Sequence, residues 1–184
     1  MFIQSEQTPN PATLKFLPGR EVMAAGTADF ADAGEAKASP LAERLFQVEG
    51  VRRIFLGSDF VTVTKAADRE WHLLKPAILG VIMEHFVAGR PVMLEPTAAT
   101  EEETDGADAE IVAQIKELLD SHVRPAVAQD GGDITFRRYA DGVVYLNMQG
   151  SCSGCPSSTA TLKSGIENLL KHYVPEVREV RPVA

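Results

Sequence analysis

Cys152 and Cys155 are the only cysteines in the 184 residues of the chain. They lie in Gly150–Thr161, which reads G-S-C-S-G-C-P-S-S-T-A-T. Two residues separate them, the spacing at which two thiolates grip one metal centre from a single turn of backbone. The same spacing serves thiol–disulfide exchange. Gly154 keeps the turn tight and lets the backbone approach bound sulfur. Ser151, Ser153, Ser157 and Ser158 supply short hydrogen-bond donors. Pro156 follows at once and is placed at the first position of a helix. The free N–H groups and positive dipole end of that helix then face the sulfurs, which favours thiolates and any anionic cluster on them.

The ligand count is the difficulty. A structural zinc site takes four protein ligands, and iron–sulfur clusters are usually held by four cysteines. His72, His85, His122 and His172 have no metal-ligand spacing to the pair. Either the site is half of one, completed by a second copy of the chain, or the pair works alone as a dithiol. A two-fold pair of chains would place four thiolates around one shared, accessible centre, as a carrier requires. A thioredoxin-like dithiol and a zinc knuckle bridging two chains are the alternatives. Against the dithiol, the loop follows a hairpin instead of a βαβ unit, and no tryptophan precedes the first cysteine, since the only one is Trp71. Asp130 and Asp133 flank two glycines and are read as turn residues capping backbone N–H groups, not as a metal or acid–base pair. No Ser–His–Asp order, phosphate-binding glycine loop or metalloprotease motif is present, so the chain is not read as an enzyme.

Around the cysteines, Ile134–Tyr139 and Val143–Met148 read as strands joined through Asp141-Gly142, a strong hairpin signal. A helix after Asp108 carries Ile111, Ile115, Leu118 and Leu119. A second follows Pro156, with Leu162, Ile166, Leu169, Leu170 and Tyr173 inward, and a short strand holds Val177, Val180 and Val183. Nearer the N-terminus, Thr13–Leu17 and Val22–Phe30 read as strands. Ser39-Pro40 opens a helix, Val51–Leu56 and Phe60–Thr64 form a hairpin, and a longer helix from Trp71 buries Leu74, Ile78, Ile82 and Phe86.

The net charge of −8 is local. Residues 95–110 hold seven acids and no base, while 1–94 and 111–184 are each nearly balanced. Such a polar, acidic stretch cannot bury enough surface to order itself. The fold class expected is therefore α+β: two small α+β domains, 1–94 and 111–184, joined by an acidic flexible linker at 95–110. The C-terminal one is a small sheet with two helices. Neither has the basic bias of a nucleic-acid binder, and no apolar run suits a membrane span. The N-terminus lacks the pattern of a secretory signal or a mitochondrial presequence. A cytoplasmic protein is expected, with the mature form of a mitochondrial matrix protein as the alternative.

Three segments carry a family resemblance: D-G-G-D-I-T-F (Asp130–Phe136), G-S-C-S-G-C-P-S-S-T-A-T-L-K-S-G-I-E (Gly150–Glu167) and V-P-E-V (Val174–Val177). They resemble the C-terminal domain of the Nfu/NifU iron–sulfur proteins. The opening Q-T-P-N-P-A-T-L-K-F-L-P-G (Gln7–Gly19) resembles the N-terminal domain of mitochondrial and alphaproteobacterial Nfu proteins. The resemblance implies a carrier or scaffold that binds a [4Fe–4S] cluster between two subunits, with [2Fe–2S] as the alternative. It implies Cys152 and Cys155 as the cluster and metal ligands. Its partners would be apo iron–sulfur acceptor proteins, upstream cluster-assembly proteins and a second copy in a cluster-bridged homodimer. The N-terminal domain, with no evident chemical site, is expected to make protein contacts.

Overall fold

Ser39 and Pro40 start a helix as their types demand. The Ser39 hydroxyl accepts from the Ala42 N–H at 3.2 Å, and α1 runs Pro40–Phe46. A computed structural model of the chain describes residues 1–94, 108–152 and 156–183. The linker expected at 95–110 lies mostly outside the described residues, as do Ser153, Gly154 and Cys155. The chain forms two compact units, Met1–Ala98 and Ala99–Ala184.

In the first unit the strands are β1 (Gln4–Gln7), β2 (Thr13–Leu17), β3 (Ala28–Phe30), β4 (Val51–Leu56) and β5 (Val61–Lys65). They form one sheet in the order β1-β2-β5-β4-β3, every neighbour antiparallel. The strand expected over Val22–Phe30 is shorter. Val22 and Met23 are buried, but both their N–H groups bond Ser58 O, and Gly26 at φ +68° breaks the extended run. Helix α2 (Trp71–Val87) buries Leu74, Ile78, Ile82 and Phe86 against the sheet and α1, as its spacing predicts. Its opposite face is also apolar, with Leu73 67%, Met83 42% and Val87 73% exposed.

His85 lies on the buried side of α2 with no accessible surface, and neither ring nitrogen has a hydrogen-bond partner among the described residues. Burial, then the nearby Arg44 charge, holds its pKa below the ordinary value. The folded state therefore resists a proton that the unfolded chain takes up below about pH 6.5. His85 adds no pH-dependent cost above that pH and progressively destabilises the unit as pH falls beneath it. We expect unfolding followed by Trp71 fluorescence to shift to lower denaturant between pH 7.5 and 5.5, with a smaller shift in His85→Leu. Equal shifts in both proteins would remove His85 as the cause.

The second unit starts with α3 (Ala109–Leu118), a π turn over Leu119–Val123 and α4 (Arg124–Gln129). Pro125 has no N–H to give the preceding turn, which is where the α-helical ladder breaks. The buried stripe is Val112, Ile115, Leu119, Val123 and Val127. Ile111 and Leu118, expected inward, are only partly buried. Strands β6 (Gly132–Ala140) and β7 (Val143–Gly150) pair antiparallel through Asp141 (φ +51°) and Gly142 (φ +78°), the positive pair that a tight hairpin needs. Helix α5 (Pro156–Tyr173) follows, then β8 (Glu179–Val183), which lies parallel to β7. Tyr173 was expected inward but is 54% exposed beside His172, because Val174, at 1%, takes the last core position.

The parallel β8 corrects the argument made against a dithiol. Strand β7, helix α5 and strand β8 do form a βαβ unit, and Cys152 sits at its strand-to-helix junction.

Candidate functional site

Strand β7 ends at Gly150, whose φ of +65° turns the chain out of the sheet. Ser151 and Cys152 follow, and α5 begins at Pro156, as expected for a proline at the first helical position. Cys155 falls outside the described residues, so the structure places one of the two candidate ligands.

Cys152 is 7% exposed and belongs to the apolar cluster of the second unit. Read from the sequence as part of an accessible centre, Cys152 itself is buried. The reason lies across the sheet. Gly132 opens β6 directly opposite Gly150, and both are glycines. A Cβ on Gly132 would lie 2.7 Å from Cys152 Sγ, 2.9 Å from Gln149 O and 3.2 Å from Cys152 N. The missing side chain is therefore the space the sulfur occupies.

Three contacts hold this arrangement. Ser151, 2% exposed, donates its hydroxyl to Asp130 O at 2.5 Å and its N–H to Gly131 O at 3.3 Å. From α5, the Thr159 hydroxyl donates to Cys152 O at 3.2 Å. The third is an ion pair. Arg124 Nε and Nη2 each reach one carboxylate oxygen of Asp133 at 2.9 Å, while Nη1 donates to Asp120 at 3.0 Å. Asp133 Oδ1 also accepts the Ile134 N–H at 2.8 Å. The hydrogen bonds it donates to Asp133 hold the Arg124 guanidinium well above its usual pKa, against the opposing effect of burial.

The expectation for Asp130 and Asp133 is thus half met. The turn is there, with Gly131 at φ +79°, and Asp133 does accept a backbone N–H. Its larger role, a half-buried two-point ion pair tying α4 to the start of β6, was missed. An arginine nine residues before an aspartate carries no local signal, because the two meet only once helix and strand pack.

Among the described residues, no group of three or more His, Cys, Asp or Glu side chains is placed to hold a metal ion. His85 is in the first unit, and His122 and His172 lie against Tyr173.

Residues 3–89 match the family described as scaffold protein Nfu/NifU N terminal, and residues 115–181 match the NifU-like domain, which takes in both cysteines. The chain belongs to the Nfu/NifU family. It is 52% identical over 184 residues to the NFU1 iron-sulfur cluster scaffold homolog, mitochondrial, of Drosophila ananassae, covering 100% of this chain and 64% of that protein. It is also 52% identical to NifU-like protein 4, mitochondrial, of Arabidopsis thaliana, covering 98% of this chain and 65% of that protein. The chain thus spans just under two thirds of these relatives. A solution NMR structure of a NifU-like protein from Saccharomyces cerevisiae aligns with a TM-score of 0.48 and 25% identity, over 52% of this chain and 87% of that one.

Proposed function

We propose that this Nfu/NifU protein is an iron–sulfur cluster carrier in which Cys152 and Cys155 of two copies hold one [4Fe–4S] cluster as cargo. The observation that carries the reading is Cys152, first of the C-x-x-C pair, at a strand-to-helix junction, with no group of three or more potential metal ligands among the described residues of its own chain. Four thiolates then require two chains. The relatives' names, iron-sulfur cluster scaffold and NifU-like, support the same reading. An acceptor's thiolates replace those of the carrier one at a time. Each exchange breaks one iron–sulfur bond and forms another, so neither cluster nor protein is oxidised or reduced. The chain works as a carrier and not as an enzyme.

We further propose that 1–94 and 111–184 act as separate modules tethered by the acidic 95–110 stretch. The solvent-facing apolar side of α2 suits the first module for contact with acceptors or cluster donors. Among the described residues, no helix is long and apolar enough to cross a membrane. Both relatives are named mitochondrial, which favours the matrix alternative over the cytoplasmic placement.

Anaerobic reconstitution with iron and sulfide, followed by transfer to an apo-acceptor, tests the carrier. We expect about four iron per two chains, and less than about a tenth of that in Cys152→Ser or Cys155→Ser. Because Cys152 is buried, its serine variant also loses about 1–2 kcal/mol for the buried hydroxyl, so folding is checked by circular dichroism. A colourless protein with a reversible disulfide establishes the dithiol instead, and stoichiometric zinc the knuckle. About two iron per two chains points to [2Fe–2S].

A further inference from the structure

Helix α2 carries two apolar faces, and the sheet takes only one of them. Leu74, Ile78, Ile82 and Phe86 are buried. On the solvent side, Leu73, Pro76, Gly80, Met83 and Val87 recur at alternating intervals of three and four, which makes one continuous stripe along the helix. All five are exposed. Of the exposed positions from Leu73 to Val87, only Glu84 is charged, and Arg44 of α1 holds it at 2.8 Å. A solvated helix face carries charged and polar residues, so this one suits a partner.

We propose that the partner is α2 of a second copy, crossing antiparallel about a two-fold axis at Gly80. The stripe is self-complementary about that residue. Leu73 lies seven positions before it and Val87 seven after, so Leu73 faces the partner's Val87. Ala77 and Met83, three positions to either side, likewise set small against large. At the centre, even a Cβ added to Gly80 would meet nothing within 4 Å, so two backbones can approach closely there. A two-fold contact needs one patch that matches itself, a condition an unrelated partner does not impose. Glu84, neutralised within its own chain, also leaves no charge for a basic helix to answer.

From Leu73 to Val87 the stripe is about 21 Å long. One helix pair of that length buries less than the roughly 1,200 Å² total of a lasting complex. The pairing is therefore weak, with a dissociation constant on the order of 0.1 mM. At micromolar concentration the chains separate, and the stripe stays available to acceptors or donors. Where two chains already share a cluster, tethering raises the effective concentration of the first units towards the millimolar range. The pairing then closes and steadies the two-chain carrier, a consequence that rests on the carrier reading above.

Sedimentation equilibrium of the cluster-free, full-length protein, with chelator and reductant present, tests the pairing apart from the cluster. The expected result is a reversible equilibrium between one and two chains from about 10 µM to about 1 mM. A residue on a two-fold axis meets its own copy. Gly80→Glu and Gly80→Lys should therefore each weaken association at least tenfold, while an equimolar mixture of the two recovers it. Trp71 fluorescence checks that both variants keep the fold of the first unit. Single chains at every concentration, unchanged association in Gly80→Glu, or a mixture no more associated than its components overturns the proposal. The first of these outcomes leaves the stripe to a different protein, and none of them bears on cluster binding.

Discussion

Alanine at position 132 is expected to cost the protein most of its cluster. The added Cβ would lie 2.7 Å from Cys152 Sγ and 2.9 Å from Gln149 O. The second atom is backbone within the β6–β7 ladder and cannot step aside cheaply. The sulfur must move, or the ends of the two strands must part, at a cost of about 1–3 kcal/mol for overpacking. If even about 1 kcal/mol of this opposes the ligating geometry, cluster retention falls about fivefold. Iron retained after anaerobic desalting measures it. Gly165→Ala is the control. It lies on the same α5 that leaves the cysteine loop, and its added Cβ meets nothing within 4 Å. That variant should keep its iron. Equal iron in Gly132→Ala and the wild type would show that the sulfur does not depend on this space.

The second large effect is on stability. The Asp133 side chain is 6% exposed, and its carboxylate is held at two points by Arg124, which is 36% exposed. Arg124→Ala leaves that carboxylate buried without its cation. Breaking one side of a buried pair costs 3–5 kcal/mol, and the partial exposure of Arg124 puts this case near about 3 kcal/mol. For a unit of this size, that corresponds to a fall in melting temperature of roughly 12–24 °C. The single tryptophan makes the location of the loss measurable. Trp71 belongs to the first unit, where its indole donates to Pro11 O, so its fluorescence transition should not move. The circular dichroism transition of the second unit should fall. Arg124→Lys should recover less than half the loss, since an ammonium cannot make the two-point contact. A shift of less than about 5 °C in Arg124→Ala would mean that Asp133 is satisfied without it.

The sequence shows most clearly those features that depend on neighbours in the chain. Ser39-Pro40 starts a helix, Asp141-Gly142 turns a hairpin, and Leu74, Ile78, Ile82 and Phe86 mark the inner face of α2. Strands β2 and β4 begin and end where apolar content and turn residues place them. Strand β1, Q-S-E-Q, shows no pattern, because an edge strand with little buried surface has no apolar face to display. Strand β8 is recognisable, but its parallel partner is not, because no turn residue encodes a crossover through a helix. Of the stripe expected on α3, Ile115 and Leu119 are buried, while Ile111 and Leu118 are only partly so and Val112 takes a core place. At the site, the cysteine spacing is evident from the order of residues alone. The burial of Cys152 is not, because it depends on a glycine twenty residues earlier, brought alongside by β6–β7 pairing.

The central claim is that one chain carries half a site. Native mass spectrometry of the anaerobically reconstituted, full-length protein tests it most directly. The account predicts a two-chain species carrying one cluster of four iron and four sulfide, which separates into single chains when a chelator removes the iron. A single chain that retains a complete cluster, or a two-chain species that holds zinc and no iron, would contradict it.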